Sequence, residues 1–344
     1  MMQKHSNLFL SLLAPALLVL GGYTVVTAQQ KTSSTASAKV DAKRWSDAAT
    51  WPDKKVPGKD AVITIAKDMN VILDVSPPPL RSLTINGKLS FADNKDLELT
   101  TEWIMVHGEL EIGTEAKPHT RKATITFTDN VKDEDMSGMG GTNDRSDRGI
   151  MLMGGTLNLH GNRTNSWTKL AKTADAGSNS IEVLNAAGWR SGDMIVLAST
   201  DFDPHQAERR TISAIRGNTI TLDKKLDYMH FGKITFDVDE RGEVGMLSRN
   251  IVIQASPDAD QTLFGGHIMA MNESKMFVEA VELNRMGQNM HLARYPIHWH
   301  LIGDAQGQYI KNSAIHDTFS RCATVHGTNY LNVENNVTQV DRLM

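Results

Sequence analysis

Two histidines set two residues apart fall in the string Tyr295-Pro296-Ile297-His298-Trp299-His300. On a β-strand successive side chains alternate, so both imidazoles leave one face and Trp299 leaves the other. With Asp304 close behind, the pair could ligate a divalent metal ion, act as acid/base groups or contact a sugar. The structural alternative is a hydrogen-bonded histidine pair that only supports the backbone. Further along come His316, Asp317, Arg321 and His326.

What would bring these residues together is a repeat. Ile310-Lys311-Asn312-Ser313-Ala314-Ile315 resembles Val333-Glu334-Asn335-Asn336-Val337 at an offset of 23 residues, and Val278 to Leu283 has a related texture one longer turn earlier. A period of this size, in short strands with interior Asn and Ser, suggests coils of a parallel β-helix. With that offset His298 lies beside Arg321, and His326 beside Gly303-Asp304, about 4.8 Å apart. His298, His300, Asp304, His316, Asp317, Arg321 and His326 then make one catalytic patch, with His298, His300 and Asp304 as the metal set. A second polar cluster, Asp201, Asp203, His205 and Glu208, sits in a loop. Paired carboxylates there could do glycosidase work, but only their separation in space decides.

The rest of the chain reads as all-β. Ala61–Ile65, Asn70–Leu73, Ser82–Ile85, Leu97–Leu99 and Ala123–Phe127 are candidate strands, broken at Pro57-Gly58, Pro77-Pro78-Pro79, Asn86-Gly87, His107-Gly108 and Gly113. Strands every 8 to 12 residues with such punctuation indicate a sandwich, barrel or solenoid. Residues 45–170 form a first β domain, and 178–249 a small β-barrel-like insert with a hairpin at Gly217-Asn218. Residues 250–344 start a right-handed parallel β-helix, and residues 131–149 are a polar loop. A two- or three-coil solenoid with no cap would expose an unpaired edge, so the chain is expected to be part of a longer protein.

At the N-terminus Lys4 and His5 precede an apolar run, Leu8 to Leu20, and a small-residue site ending at Ala28. This is the layout of a signal peptide over 1–28, followed by a flexible linker over 29–44. The run is shorter than the roughly 20 apolar residues of a membrane span, so the mature chain is expected to be secreted or periplasmic without a span. Cys322 is the only cysteine, which excludes an intrachain disulfide and fits a bacterial exported protein. The 344 residues are 40% hydrophobic and 22% charged, with a net charge of −4. No global basic field exists to attract nucleic acid, and a polyanionic partner would need a local cationic patch.

Longer strings carry a family resemblance. Trp45-Ser46, Trp51-Pro52, Leu83-Thr84-Ile85-Asn86-Gly87, Gly108-Glu109-Leu110-Glu111-Ile112-Gly113 and Gly155-Thr156-Leu157-Asn158-Leu159-His160-Gly161 resemble the eight-glycine (G8) domain. Phe264-Gly265-Gly266-His267, Tyr295 to His300 with Gly303-Asp304, and His316 to Cys322 with Val325-His326-Gly327 resemble the cell-migration-inducing and cell-surface hyaluronidases. The long insert of the animal proteins is absent. The resemblance implies an exported protein that degrades or binds hyaluronan-like acidic glycans; the alternative it leaves open is a non-catalytic carbohydrate-binding or adhesion scaffold. Substrate contacts are then assigned to Arg81, Asp201, His205, Arg294 and Trp299, since such a site needs a cation for the uronate carboxylates. Asp93 and Asp96 are further candidates for the acid. Hydrolysis needs two spaced carboxylates; β-elimination needs a base and an Arg or a metal ion on the uronate. The residues do not choose between them, and any cofactor is open, a divalent metal ion being one candidate.

Overall fold

The computed structural model describes residues 41–130 and 148–339. The expected signal peptide, the expected linker up to residue 40 and the polar loop up to residue 147 lie outside the described residues; Ala42–Arg44, expected in the linker, form a strand. Among the described residues no helix is long and apolar enough to cross a membrane.

Strand alternation builds the core. Ser82–Ile85, Lys88–Phe91 and Glu109–Ile112 each alternate half-buried and buried residues, the period of a strand with one face inward. These strands do not pair with their sequence neighbours. Each pairs in parallel with the equivalent strand one coil away, which makes three long sheets.

The first sheet stacks Ala42–Arg44, Asn70–Leu73, Lys88–Phe91, Glu109–Ile112, Thr156–His160, Lys275–Glu279, Tyr309–Lys311 and Asn332–Glu334. The second stacks Val62–Ile65, Ser82–Ile85, Trp103–Val106, Gly149–Met153, His267–Met271, Ile297–Asp304 and Ala323–Asn329. The third stacks Leu97–Thr101, Ala123–Phe127, Ile251–Ala255, Val281–Asn284, Ala314–His316 and Val337–Gln339. Inside, like side chains sit on like: Leu83, Ile104, Ile150 and Ile268 form one fully buried column. No coil could bury its apolar face without a neighbour on it.

This is the parallel β-helix expected, but it begins earlier. The stack starts at Ala42 rather than near residue 250, and the segment expected as a separate N-terminal β domain is its first coils. The glycines of Asn86-Gly87 and His107-Gly108 have a physical reason here. They turn the corner from the second sheet to the first, where a Cβ on Gly108 would lie 1.9 Å from the Gly87 carbonyl oxygen.

The insert leaves the stack after His160 and returns at Ile251. Its six strands run in the order Trp167–Lys169, Glu243–Met246, Met194–Leu197, Glu208–Arg216, Thr219–Leu222 and Ser180–Glu182. A bridge from Leu170 to Val183 joins the two outer strands and closes the expected small barrel around Ile181, Ile195, Ile212 and Ile220. The hairpin turns at Gly217 with φ +60°. Trp167–Lys169 belongs to this barrel, so the insert starts ahead of residue 178. The barrel packs on the stack through Val196, Leu247, Ala314 and Val337.

Candidate functional site

Within Ile297–Asp304, Ile297 and Trp299 are wholly buried and point into the coil. His298 and His300 leave the opposite face, as their spacing dictates. The next coil supplies a third imidazole, because His300 and His326 are register partners. Ligand nitrogens of His298, His300 and His326 all lie within 4.8 Å of one another, and the Nδ1 atoms of His300 and His326 are 3.1 Å apart.

Exposure grades across the cluster. His298 is 1% exposed, His300 half-buried and His326 exposed. The segment before the strand covers His298: its Nδ1 lies 3.1 Å from the Ala293 carbonyl oxygen, and the Tyr295 ring meets its edge at 5.1 Å. Beneath, the outer face of the second sheet is a buried stripe of Trp103, Met105, Met151 and Met269. His267 lies in this stripe, fully buried, with neither ring nitrogen hydrogen-bonded and its ring 5.5 Å from that of Trp103.

Those surroundings hold His298, His267 and His300 below the usual histidine range. Burial, helped by the charges of His300, His326 and Arg294 against the opposing Ala293 carbonyl, pushes His298 down to about 4. Burial, with Arg294 beside it, pushes His267 well below the usual histidine range. His300 is lowered by burial and by His326 and Arg294.

A pH dependence follows. The unfolded chain protonates these histidines near 6.5 while the folded one resists. Stability from His298 is therefore complete above about pH 6.5 and falls by up to about 3 kcal/mol as pH drops toward 4. Urea midpoints measured from pH 7 to 4 should fall for the wild type and fall less steeply for His298→Asn, His267 supplying the remaining slope. Equal slopes in the two proteins would contradict this.

The remaining expected residues divide. Arg321 stays at the rim, its guanidinium carbon 5.7 Å from the Tyr295 ring centroid, and Arg294 is buried close enough to bias all three lowered histidines. His298 aligns with Thr324 rather than with Arg321, and His326 aligns with His300 rather than with Asp304.

Asp304 stands outside the histidine group, at the strand end, where its Oδ1 accepts from the Gln306 amide at 2.8 Å. His316 and Asp317 belong to another wall. His316 ends a third-sheet strand, with Nδ1 2.7 Å from Asp317 Oδ2 and Nε2 3.3 Å from Glu282 Oε1. Burial pushes His316 down, but these two carboxylates outweigh it and hold the group above its ordinary range. Asp317 also accepts from Arg209 Nη1 of the barrel with both carboxylate oxygens, at 2.8 and 2.9 Å, while Arg209 Nε donates to Gln339 Oε1. That network pins barrel to stack.

Trp299 is a core residue, with no face for a sugar. Arg81 precedes Ser82, four coils down the second sheet from Ile297, roughly 19 Å at the strand spacing. Asp201 and His205 are exposed on a barrel loop; Asp203 caps the turn there by accepting from the His205 amide. Glu208 is buried and holds His230, Arg210 and the amides of Asp227 and Tyr228, which is a structural role. Asp93 is likewise spent on the amides of Thr120 and Arg121.

The sequence reading missed His267 and Glu282 as partners of the chosen histidines. His267 shares outward parity with Met269, the register partner of His298, and a correct alignment of the two strands would have found it.

Two family models match parts of the chain. Residues 50–171 match the family model of the G8 domain, and residues 263–340, which include all three clustered histidines, match that of the CEMIP beta-helix. Fibrocystin-L of Mus musculus is 36% identical over 344 residues, covering 85% of this chain and 8% of its own length. Protein rliB of Dictyostelium discoideum is 30% identical over 311 residues, covering 86% of this chain and 27% of its own length. The chain thus spans a minor part of these relatives. A solved tailspike, gp54 of Acinetobacter baumannii bacteriophage AP22 in complex with capsular saccharide, aligns over 74% of this chain and 41% of its own at 11% identity and a TM-score of 0.23.

Proposed function

We propose that this G8 domain-containing protein engages an acidic, hyaluronan-like polysaccharide on the outer wall of its second sheet and cleaves it by β-elimination. The observation that carries the reading is the pairing of solvent-reachable imidazoles at His300 and His326 with the Arg321 guanidinium at the same rim. A chain of net charge −4 needs such a local cation to hold a polyanion. An imidazole below its ordinary pKa is a base ready at neutral pH. It would take the uronate C5 proton as the C4–O bond breaks and a C4=C5 double bond forms, with a solvent water molecule protonating the departing oxygen and the guanidinium on the carboxylate.

Hydrolysis is less well served: among the described residues no carboxylate joins the histidine group, and glycosidases need two. That same lack favours, as the second reading, a scaffold that binds the glycan without cutting it. An exported location, with the expected leader ending at Ala28, is part of both readings.

The purified full chain should shorten hyaluronan or chondroitin chains and raise the absorbance of an unsaturated uronate. His300→Ala and His326→Ala should each reduce the rate about 100-fold or more, the scale of general base catalysis. Shortening without unsaturation would replace elimination by hydrolysis. Binding without shortening would leave the scaffold, and neither binding nor cleavage would defeat the reading altogether.

A further inference from the structure

The geometry points to a mononuclear divalent transition-metal centre, of the zinc class, ligated by His298, His300 and His326 with its fourth position open to solvent. This does not rest on the glycan reading; with the ion bound, the base of that reading would be a water molecule at the open position rather than a ligating imidazole.

Three observations carry it. First, the donors converge. A metal ion with 2.0–2.1 Å bonds to nitrogen in tetrahedral geometry sets its ligand atoms roughly 3.3–3.4 Å apart. The Nδ1 atoms of His300 and His326 already stand at 3.1 Å, and the third imidazole lies within 4.8 Å, a gap that small side-chain rotations close.

Second, the tautomer of His298 is fixed from outside. Its Nδ1–H donates to the Ala293 carbonyl, which leaves the lone pair on Nε2. Metal-bound histidines characteristically donate their other N–H to a carbonyl or carboxylate in this way. Third, that Nε2 has no hydrogen-bond partner although the side chain is 1% exposed. A buried acceptor left unsatisfied is costly, and a cation in the cluster would satisfy it.

The chemistry of the donor set selects the ion. Three imidazole nitrogens suit Zn2+, Co2+, Ni2+ or Cu2+, whereas Ca2+ and Mg2+ take oxygen ligands. Three protein ligands with an open fourth position are the arrangement of exchangeable rather than purely structural zinc sites. Exposure at His326 and burial at His298 put that open position on the solvent side. The ligand set expected from sequence, His298, His300 and Asp304, becomes a three-histidine set once the true register is known.

The test is metal content and affinity of the full chain, with Zn2+ and Co2+ as the probes and no glycan present. The wild type should retain about one Zn2+ per chain after dialysis. With Co2+ it should show the visible absorption of a four-coordinate nitrogen-ligated ion. His300→Gln and His326→Gln, both outside the core, should weaken Zn2+ binding about 100-fold or more, beyond the roughly 10–100-fold that even outer-sphere partners cost. Asp304→Asn should bind as the wild type does. No retained metal in the wild type, unchanged affinity in the two histidine variants, or loss in Asp304→Asn alone would overturn the proposal. If a histidine variant fails to fold, the wild-type cobalt spectrum still decides. Because metal content is read without substrate, an inactive protein that holds zinc defeats only the glycan reading.

Discussion

Trp299→Ala is expected to lower stability by about 3–5 kcal/mol, the range for emptying a large aromatic from a core. The side chain is wholly buried and sits between the two histidines of the strand. Its Nε1–H donates to Gln308 Oε1 at 3.0 Å, and the same oxygen accepts from the Met276 amide at 2.9 Å. Tryptophan, Gln308 and Met276 therefore tie three segments of two neighbouring coils together.

Trp299→Phe keeps most of the volume and loses the hydrogen bond, so its cost should be nearer 1–2 kcal/mol. Urea unfolding measures both. The two variants should lose Zn2+ and glycan binding in step with stability. Had Trp299 been the exposed sugar platform assigned from sequence, alanine would instead leave the unfolding midpoint unchanged and weaken the glycan alone. That result would refute its core placement.

Trp299 also illustrates what a sequence can and cannot place. Alternation told which side of the strand each residue takes, and it was right for His298, Trp299 and His300. It did not tell which side is the sugar's, so an inward tryptophan was read as a contact. The offset of 23 residues is real in the first and third sheets, where Ile310 aligns with Val333 and Ala314 with Val337. It fails in the second sheet, where His300 aligns with His326, an offset of 26. The extra residues lie past His300, where the strand bulges before Gly303, with Leu301 at φ +54°, and in the turn up to Gln308. A bulge leaves no periodic mark, so Asp304 and Arg321 were put where His300 and Thr324 stand, beside His326 and His298.

The same blindness hid the first coils. Leu83, Ile104, Ile150 and Ile268 form one column, but a polar loop and then a whole barrel separate the later members along the chain. Coils of such unequal length show strands without showing a repeat. The barrel, closed by local hairpins, was legible for the opposite reason: its glycine turn and its flanking β-branched residues are adjacent in sequence. His316 and Asp317 were assigned to the catalytic patch, yet the partner of Asp317, Arg209, comes from that distant barrel, and no local pattern announces it.

The continuity of the stack makes one residue far from the histidines matter to them. Arg148→Met is expected to cost about 3–5 kcal/mol, the scale for breaking a buried ionic network from one side. The Arg148 side chain is 0% exposed. It donates to the Phe127 carbonyl at 3.1 and 3.2 Å, the Phe264 carbonyl at 2.5 Å, Ser256 Oγ at 2.6 Å and Asp258 Oδ1 at 2.8 Å. Those acceptors come from the ends of two successive third-sheet strands and from the loop that leads into His267–Met271.

Methionine fills the space but satisfies none of the acceptors. Arg148→Lys should rescue little, because one ammonium cannot reach a fan of acceptors set for a planar fork. Asp258→Asn should cost only about 1 kcal/mol, since it keeps an acceptor for the guanidinium and its side chain is 42% exposed. The backbone carries the damage onward: the His267 amide donates to the Arg148 carbonyl at 3.2 Å, Gly149–Met153 supports His267–Met271, and Met269 lies directly under His298. Amide exchange should therefore quicken through residues 264–271 in Arg148→Met, with Zn2+ affinity falling alongside. An Arg148→Met protein within about 1 kcal/mol of wild type would mean that the coils hold their register by apolar stacking alone. The histidine cluster would then owe its geometry to its own two strands and nothing beneath them.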